Sequence, residues 1–255
     1  MLSFEIRQEP TLQLLYVLIE THSLFLSVID DMQLVIFDVD GTLTNTNSVD
    51  TDCFVRAFAE EFGIFHINQN WQDYTYSTDS GIAQQIFQNQ LKRLPSIEEM
   101  FRLKKRFINL LQQATQNAEL FRPIPGARNI ISKLQQLEYC IAIATGGWHD
   151  SAILKLQKAG INVTDIPIAS ADHSFLREDI IETVILRART WYKVENFLKI
   201  VFVGDGIWDV KAANNLKLPF IGVGNLVNQG VQHIIDDYSD YKKLQQLLIE
   251  ANHIQ

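Results

Sequence analysis

Leu34-Val35-Ile36-Phe37-Asp38-Val39-Asp40-Gly41-Thr42-Leu43-Thr44 is the stretch on which the fold turns. Four apolar residues run without polar alternation into two carboxylates set two positions apart, and a glycine follows. A short Val/Ile-rich run of this kind predicts a strand buried on both faces, as in a parallel sheet. Asp38 and Asp40 then leave the strand tip, and Gly41 lets the chain turn sharply without a Cβ clash. Open α/β sheets hold their ligands at the carboxyl ends of their strands. Asp-x-Asp-Gly also occurs in ordinary turns and in calcium loops. A calcium loop counted from Asp38 would need a glutamate at its twelfth position, which is Val49, so that reading fails.

Downstream, Phe54, Phe58 and Phe62 recur at helical spacing and Gly63 marks a stop. A polar, aromatic-rich connection with Trp71, Tyr74 and Tyr76 follows. Thr78-Asp79-Ser80-Gly81 predicts a capped helix, and Ser96-Ile97-Glu98-Glu99 predicts a capping box for a third. Phe121-Arg122-Pro123-Ile124-Pro125-Gly126 reads as a stiff connector. Strand and helix then alternate. Strands are expected at Tyr139 to Ala144, Ile166 to Ala169, Ile200 to Val203 and, last, Phe220 to Val223. Helices are expected at Asp150 to Ala159, about Arg177 to Ala188, after Gly206 to about Leu216, and around Leu244, Leu247 and Leu248. This rhythm predicts an α/β fold, a doubly wound parallel sheet with right-handed crossovers and an inserted α-helical lid. Residues 32–45 and 122–255 would form the core and 46–121 the lid.

Residues 1–31 read as an N-terminal extension. Thr11 to Ile29 is strongly apolar, but Glu20 and His22 interrupt it and the flanks lack a secretory pattern. Met32 stands just before the key strand, so a chain starting there is expected to fold and keep its activity. Hydrophobic content of 47% suffices for a real core, and a formal charge of −8 argues against a nucleic-acid partner. Cys53 and Cys140 have no metal or disulfide spacing, which makes a reducing cytoplasm the expected compartment. No membrane partner is expected, and the chain would be a monomer or homodimer. Gly222-Val223-Gly224 is not a dinucleotide fingerprint, because Val227 stands at the third glycine position.

Three strand ends carry polar groups: Asp38/Asp40, Thr145-Gly146-Gly147, and Gly204-Asp205 with Asp209. A parallel sheet brings these ends to one edge. Carboxylates that converge there need a cation, and an oxygen-only donor set favours Mg²⁺. The Thr145 hydroxyl with the Gly146 and Gly147 N–H groups makes an anion site. A hard cation beside an anion cradle, with a free carboxylate, is equipment for phosphoryl transfer.

With these residues the chain resembles the haloacid dehalogenase superfamily, in its phosphatase and phosphomutase branch with a helical cap. The resemblance rests on Asp38-Val39-Asp40-Gly41-Thr42-Leu43-Thr44, Ala144-Thr145-Gly146-Gly147 and Gly204-Asp205-Gly206-Ile207-Trp208-Asp209, and covers about residues 32–240. It implies that Asp38 is the nucleophile that forms an aspartyl-phosphate and that Asp40 is the general acid and base. It implies Mg²⁺ held by Asp38, the Asp40 carbonyl and Asp205, with Asp209 acting directly or through water, and phosphate bound by Thr145, Gly146 and a cation. The family's usual lysine, one helix upstream of the last motif, is replaced by Arg177, which keeps the charge in fork geometry. Lys193, the rival for that place, is too close to the last motif.

The resemblance implies a Mg²⁺-dependent phosphatase for a small phosphorylated metabolite, closest to phosphoglycolate phosphatase-like hydrolases. The alternatives are a sugar phosphomutase of the β-phosphoglucomutase type and a catalytically weak phospholigand-binding protein. A phosphonate hydrolase would need a lid lysine, and Lys92, Lys104 and Lys105 are not diagnostically placed. His149 is expected as a helix-start residue, and Trp148 and Trp208 as pocket walls or packing. Asp79 and Ser80 are within reach of the site from the lid, but capping their helix is the simpler expectation.

Overall fold

The structure, a computed structural model, describes residues 32–251. The extension at 1–31 lies outside the described residues. Strand β1 (Gln33–Phe37) is the predicted one, and Leu34, Val35, Ile36 and Phe37 are fully buried. Burying four such side chains contributes about 2 kcal/mol each before the entropy of ordering is set against it. β1 is central because its successive residues are apolar on both faces. The remaining strands are β2 (Thr44–Asn45), β3 (Arg122–Pro123), β4 (Cys140–Ala144), β5 (Ile168–Ala169), β6 (Lys199–Gly204), β7 (Phe220–Val223) and β8 (Ile234–Ile235). Six of the eight form a parallel sheet in the order β5-β4-β1-β6-β7-β8.

The helices among the described residues are α1 (Asn47–Phe62), α2 (Asp79–Leu91), α3 (Ile97–Ala114), α4 (Ala127–Gln135), α5 (His149–Lys158), α6 (Arg177–Tyr192), α7 (Ile207–Leu216) and α8 (Tyr241–Glu250). Helices α4, α5 and α8 cover one sheet face, packing on Val35, Phe37, Ile141, Ile143, Val201 and Val203. Helices α6 and α7 cover the other, on Leu34, Ile36, Ala142, Phe202 and Phe220. The alternation of side chains along each strand divides the core in this way.

Helices α1, α2 and α3 build a third apolar cluster, the inserted cap, around Phe54, Phe58, Phe87, Phe107 and Leu111. Gly63 ends α1 at φ 67°, with its N–H on the carbonyls of Ala59 and Phe58. The Ser96–Glu99 capping box opens α3 as predicted. The two chain passages between core and cap run side by side as the antiparallel β2–β3 pair, where the sequence suggested only a stiff connector. No helix of the described residues is long and apolar enough to cross a membrane.

Some elements differ from expectation. Phe220–Val223 is not the last strand, because β8 adds beyond it. Two residues offer too little pattern to be read in advance. The strand expected from Ile166 begins only at Ile168, since Pro167 has no N–H to donate. Helix α6 runs past Ala188 to Tyr192, where Lys193 adopts a left-handed conformation at φ 57°. Lys193 thus terminates a helix, which agrees with passing it over.

Candidate active site

The carboxyl ends of β1, β4 and β6 meet at one sheet edge. The Asp38 N–H donates to the Val203 carbonyl, which extends the β1–β6 ladder by one residue and fixes the Asp38 backbone. Gly41 turns the chain at φ 80°, and a Cβ there would run into the Asp205 carboxylate. The turn brings the Thr42 hydroxyl back to donate to Asp205 Oδ1 at 3.1 Å, with Asp38 Oδ2 at 3.4 Å. After β6, the Gly206 N–H donates to Asp209 Oδ2 at 3.0 Å, which pins Asp209 in the first turn of α7.

Arg177 opens α6 and is 6% exposed. Its Nη2 donates to Asp38 Oδ1 and its Nε to Asp209 Oδ1, each at 2.6 Å. Its chain neighbours do not hold it. Glu178 accepts from Asn215, and Asp179 accepts from Ser174. Burial alone would weaken the guanidinium charge, but Asp209 and Asp38 outweigh it and hold the pKa above the ordinary value. Burial pushes the Asp38 carboxyl well up, and Asp209, Asp205 and Asp40 add to the push against Arg177. Burial and the Asp209 charge raise Asp205 to about 7.

After β4, the Thr145 Oγ accepts from the Gly147 N–H at 3.1 Å. That N–H is therefore already engaged, so the anion-facing part of the loop is Gly146 and the Thr145 hydroxyl. A Cβ on Gly146 would collide with Arg177 Nη1 and the Ser77 carbonyl, so only glycine lets loop and arginine approach.

Lys155, on α5, is a residue that the motif reading missed. It is fully buried, and its Nζ donates to Asp40 Oδ2 at 2.5 Å and to Asp50 Oδ1 of α1 at 2.6 Å. Burial opposes its charge, but Asp40, Asp50 and Asp79 together hold its pKa above normal. Asp50 is itself raised to about 6, mainly by burial. Asp40 Oδ1 accepts from Thr46, so both of its oxygens are held. The signal was present in the sequence: Lys155 lies three residues after Ala152, next to Leu156 and four before Ala159, on the apolar stripe of α5. A charge on such a stripe needs buried partners.

A cavity of about 300 Å³ opens over these groups. Asp38, Asp40, Thr145, Gly146 and Arg177 form its floor, and Asn47, Asp50, Thr51, Phe54, Trp71, Asp79 and Trp208 are among its walls. Asp79 and Ser80 do not cap α2, as was expected of them; the Thr78 hydroxyl does, accepting from the Gly81 N–H. Asp79 Oδ2 instead accepts from the Trp148 N–H, and Ser80 joins Trp148 Nε1 to the Ala171 carbonyl. Trp148 is packing, Trp208 is wall, and His149 begins α5 away from this cavity. Lys92, Lys104 and Lys105 do not line it; Lys104 pairs with Asp172.

One carboxylate oxygen from each of Asp38, Asp205 and Asp209 lies within 4.8 Å of the others. The donors are oxygen only; burial raises the proton affinity of all three, and repulsion from neighbouring carboxylates adds to it at Asp38 and Asp205. A hard divalent cation would relieve that crowding, so the residues fit Mg²⁺.

Solved structures share this fold. A hydrolase from Pseudomonas syringae matches at TM-score 0.63 and 21% identity, over 85% of this chain and 97% of that one. A β-phosphoglucomutase from Clostridium difficile matches at TM-score 0.65 and 19% identity, over 86% and 98%. A predicted phosphoglycolate phosphatase from Haemophilus somnus matches at TM-score 0.55 and 17% identity, over 84% and 98%. No curated protein matches the sequence significantly. The sequence profile of the haloacid dehalogenase-like hydrolases matches residues 35–223, from the strand that carries Asp38 to the end of β7, and the chain belongs to that family.

Proposed function

We propose that the protein is a Mg²⁺-dependent phosphatase that hydrolyses a small phosphorylated metabolite through an aspartyl-phosphate on Asp38. The observation that carries the reading is the Arg177 fork, which joins Asp38 to Asp209 beneath an open cavity that Asp40 shares. The reading takes residues 46–121 as the cap and 32–45 with 122–255 as the core.

The phosphate enters with its oxygens toward Arg177, the Thr145 hydroxyl and the Gly146 N–H. Arg177 offsets the repulsion between the Asp38 carboxylate and the incoming anion. An Asp38 oxygen attacks phosphorus, the bond to the leaving oxygen breaks, and Asp40 gives that oxygen a proton. Asp40, now a carboxylate, takes a proton from water. The water oxygen attacks phosphorus, and Asp38 and inorganic phosphate are released. Thr46 and Lys155 hold the Asp40 side chain in place beside the reacting groups. Asp38, the Asp40 carbonyl, Asp205 and Asp209 would hold Mg²⁺, which when bound would supply charge neutralisation for the phosphoryl group.

A phosphomutase is less well supported. It must hold a second phosphate, and among the described residues that line the cavity Arg177 is the sole cation. Intact Asp38, Asp40 and Asp205 weigh against a mere ligand-holding protein. The test is phosphate release from p-nitrophenyl phosphate with and without Mg²⁺, for wild type and Asp38→Asn. Mg²⁺-dependent release that the variant loses is expected. Near-native release by Asp38→Asn would overturn the assignment.

A further inference from the structure

We infer that the substrate is a phosphomonoester of an alcohol that carries no negative charge of its own. The inference rests on the phosphatase reading and narrows it.

Two ends of the cavity differ in charge. At the floor, Arg177 and the metal site suit one phosphoryl group. The wall toward the cap holds Asn47, Asp50, Thr51, Phe54, Trp71 and Asp79. It therefore offers two carboxyl groups, an amide, a hydroxyl and two aromatic faces, and no cation. Phe54 and Trp71 stand edge to face with centroids 6.0 Å apart, and aromatic faces carry the negative part of the ring quadrupole.

The cations nearby are committed elsewhere. Lys155 is fully buried behind the wall, with Nζ between Asp40 and Asp50, and does not line the cavity. The arginines of the cap helices also point to other partners. Arg56 pairs with Glu60, Arg102 with Glu61, and Arg106 with Glu60. Arg93, between α2 and α3, pairs with Glu99.

A carboxylate or second phosphate on the leaving alcohol would thus lose water beside Asp50, which is already paired with Lys155, and Asp79, whose carboxyl is pushed well up by burial, with no cation in the wall to compensate it. Protonation of either aspartate removes a repulsion but adds no positive charge. Hydroxyl or ammonium groups, by contrast, meet acceptors and aromatic faces suited to them. A cavity of about 300 Å³ is at the small end for ligand sites, which also favours a short alcohol.

The experiment compares kcat/KM of the full chain with Mg²⁺ on small esters that differ mainly in charge: propyl phosphate, 2-aminoethyl phosphate, phosphoglycolate and ethylene glycol bisphosphate. p-Nitrophenyl phosphate serves as the control for turnover. The two esters without a second anion are expected to exceed both anionic ones by about tenfold or more. A smaller gap, or a preference for phosphoglycolate or the bisphosphate, with the aryl ester still hydrolysed, overturns the inference and leaves the phosphatase reading standing. Failure on every ester, the aryl one included, removes the phosphatase reading and the inference with it. Thr51→Lys, which puts a cation in the wall, should raise phosphoglycolate relative to propyl phosphate by about tenfold. A folded Thr51→Lys protein with an unmoved ratio would also overturn it.

Discussion

At position 177 a single side chain ties two strand ends together. The sequence marks Arg177 as the cation that stands in for the family's lysine, and the structure puts its guanidinium on Asp38 and Asp209 rather than on its neighbours Glu178 and Asp179. A buried cation between two carboxylates is both structural and electrostatic. Arg177→Lys keeps the charge but loses the fork, whereas Arg177→Ala loses both. Arg177→Ala is expected to lower kcat/KM for an aryl phosphate by about 10²-fold or more, and Arg177→Lys by less. Wild-type kinetics in both variants would place the phosphate-neutralising charge elsewhere.

At the scale of elements, α5 joins core to cap. Its Lys155 reaches Asp40 beyond the tip of β1 and Asp50 in α1, while the residue before the helix, Trp148, packs into the cap core. Removing one partner of a buried ion pair leaves the others uncompensated, which typically costs about 3–5 kcal/mol. Lys155→Met keeps the length of the side chain and removes the charge. It is expected to lower the free energy of unfolding by about that amount at neutral pH, read from denaturant melts with an unchanged m-value. A change below about 1 kcal/mol would mean that Asp40 and Asp50 find other partners. Helix boundaries carry a related lesson. The Ser96–Glu99 box and Gly63 were legible because capping is a local interaction. Asp79 was misread because its partner, the Trp148 N–H, is 69 residues away.

For the whole molecule, the strand order β5-β4-β1-β6-β7-β8 puts β1 between β4 and β6, so three motif-bearing ends adjoin. The acidic cluster of Asp38, Asp205 and Asp209 then belongs to no one element. A cation bound there stabilises only the folded chain, by about 2.7 kcal/mol at a hundredfold excess over Kd. For a protein of this size that corresponds to a rise in Tm of roughly 5–10 °C. Saturating Mg²⁺ is therefore expected to raise Tm by that amount in a thermal melt, and Asp205→Asn to abolish most of the rise. A Tm indifferent to Mg²⁺ up to tens of millimolar would argue against a metal at these carboxylates.

The sequence by itself determined the architecture and the motif positions. Apolar runs without alternation, helical phenylalanine spacing and glycines at turns are local signals, and Leu34 to Phe37 needs no partner to read as a doubly buried strand. Asp38, Asp40, Thr145, Gly146, Arg177, Asp205 and Asp209 were all singled out there, and the structure brings them to one sheet edge. Only the tertiary structure decided what each touches. Asp40 goes to Lys155 and Thr46, Arg177 goes to Asp38 and Asp209, and the Gly147 N–H goes to Thr145 rather than staying free for an anion. It also supplied Lys155 and the acidic, aromatic wall of α1 and α2, which no motif marks. The reason is physical. Backbone propensity acts over a few residues, whereas charge pairing and cavity shape depend on residues that only the folded sheet brings within a few ångströms.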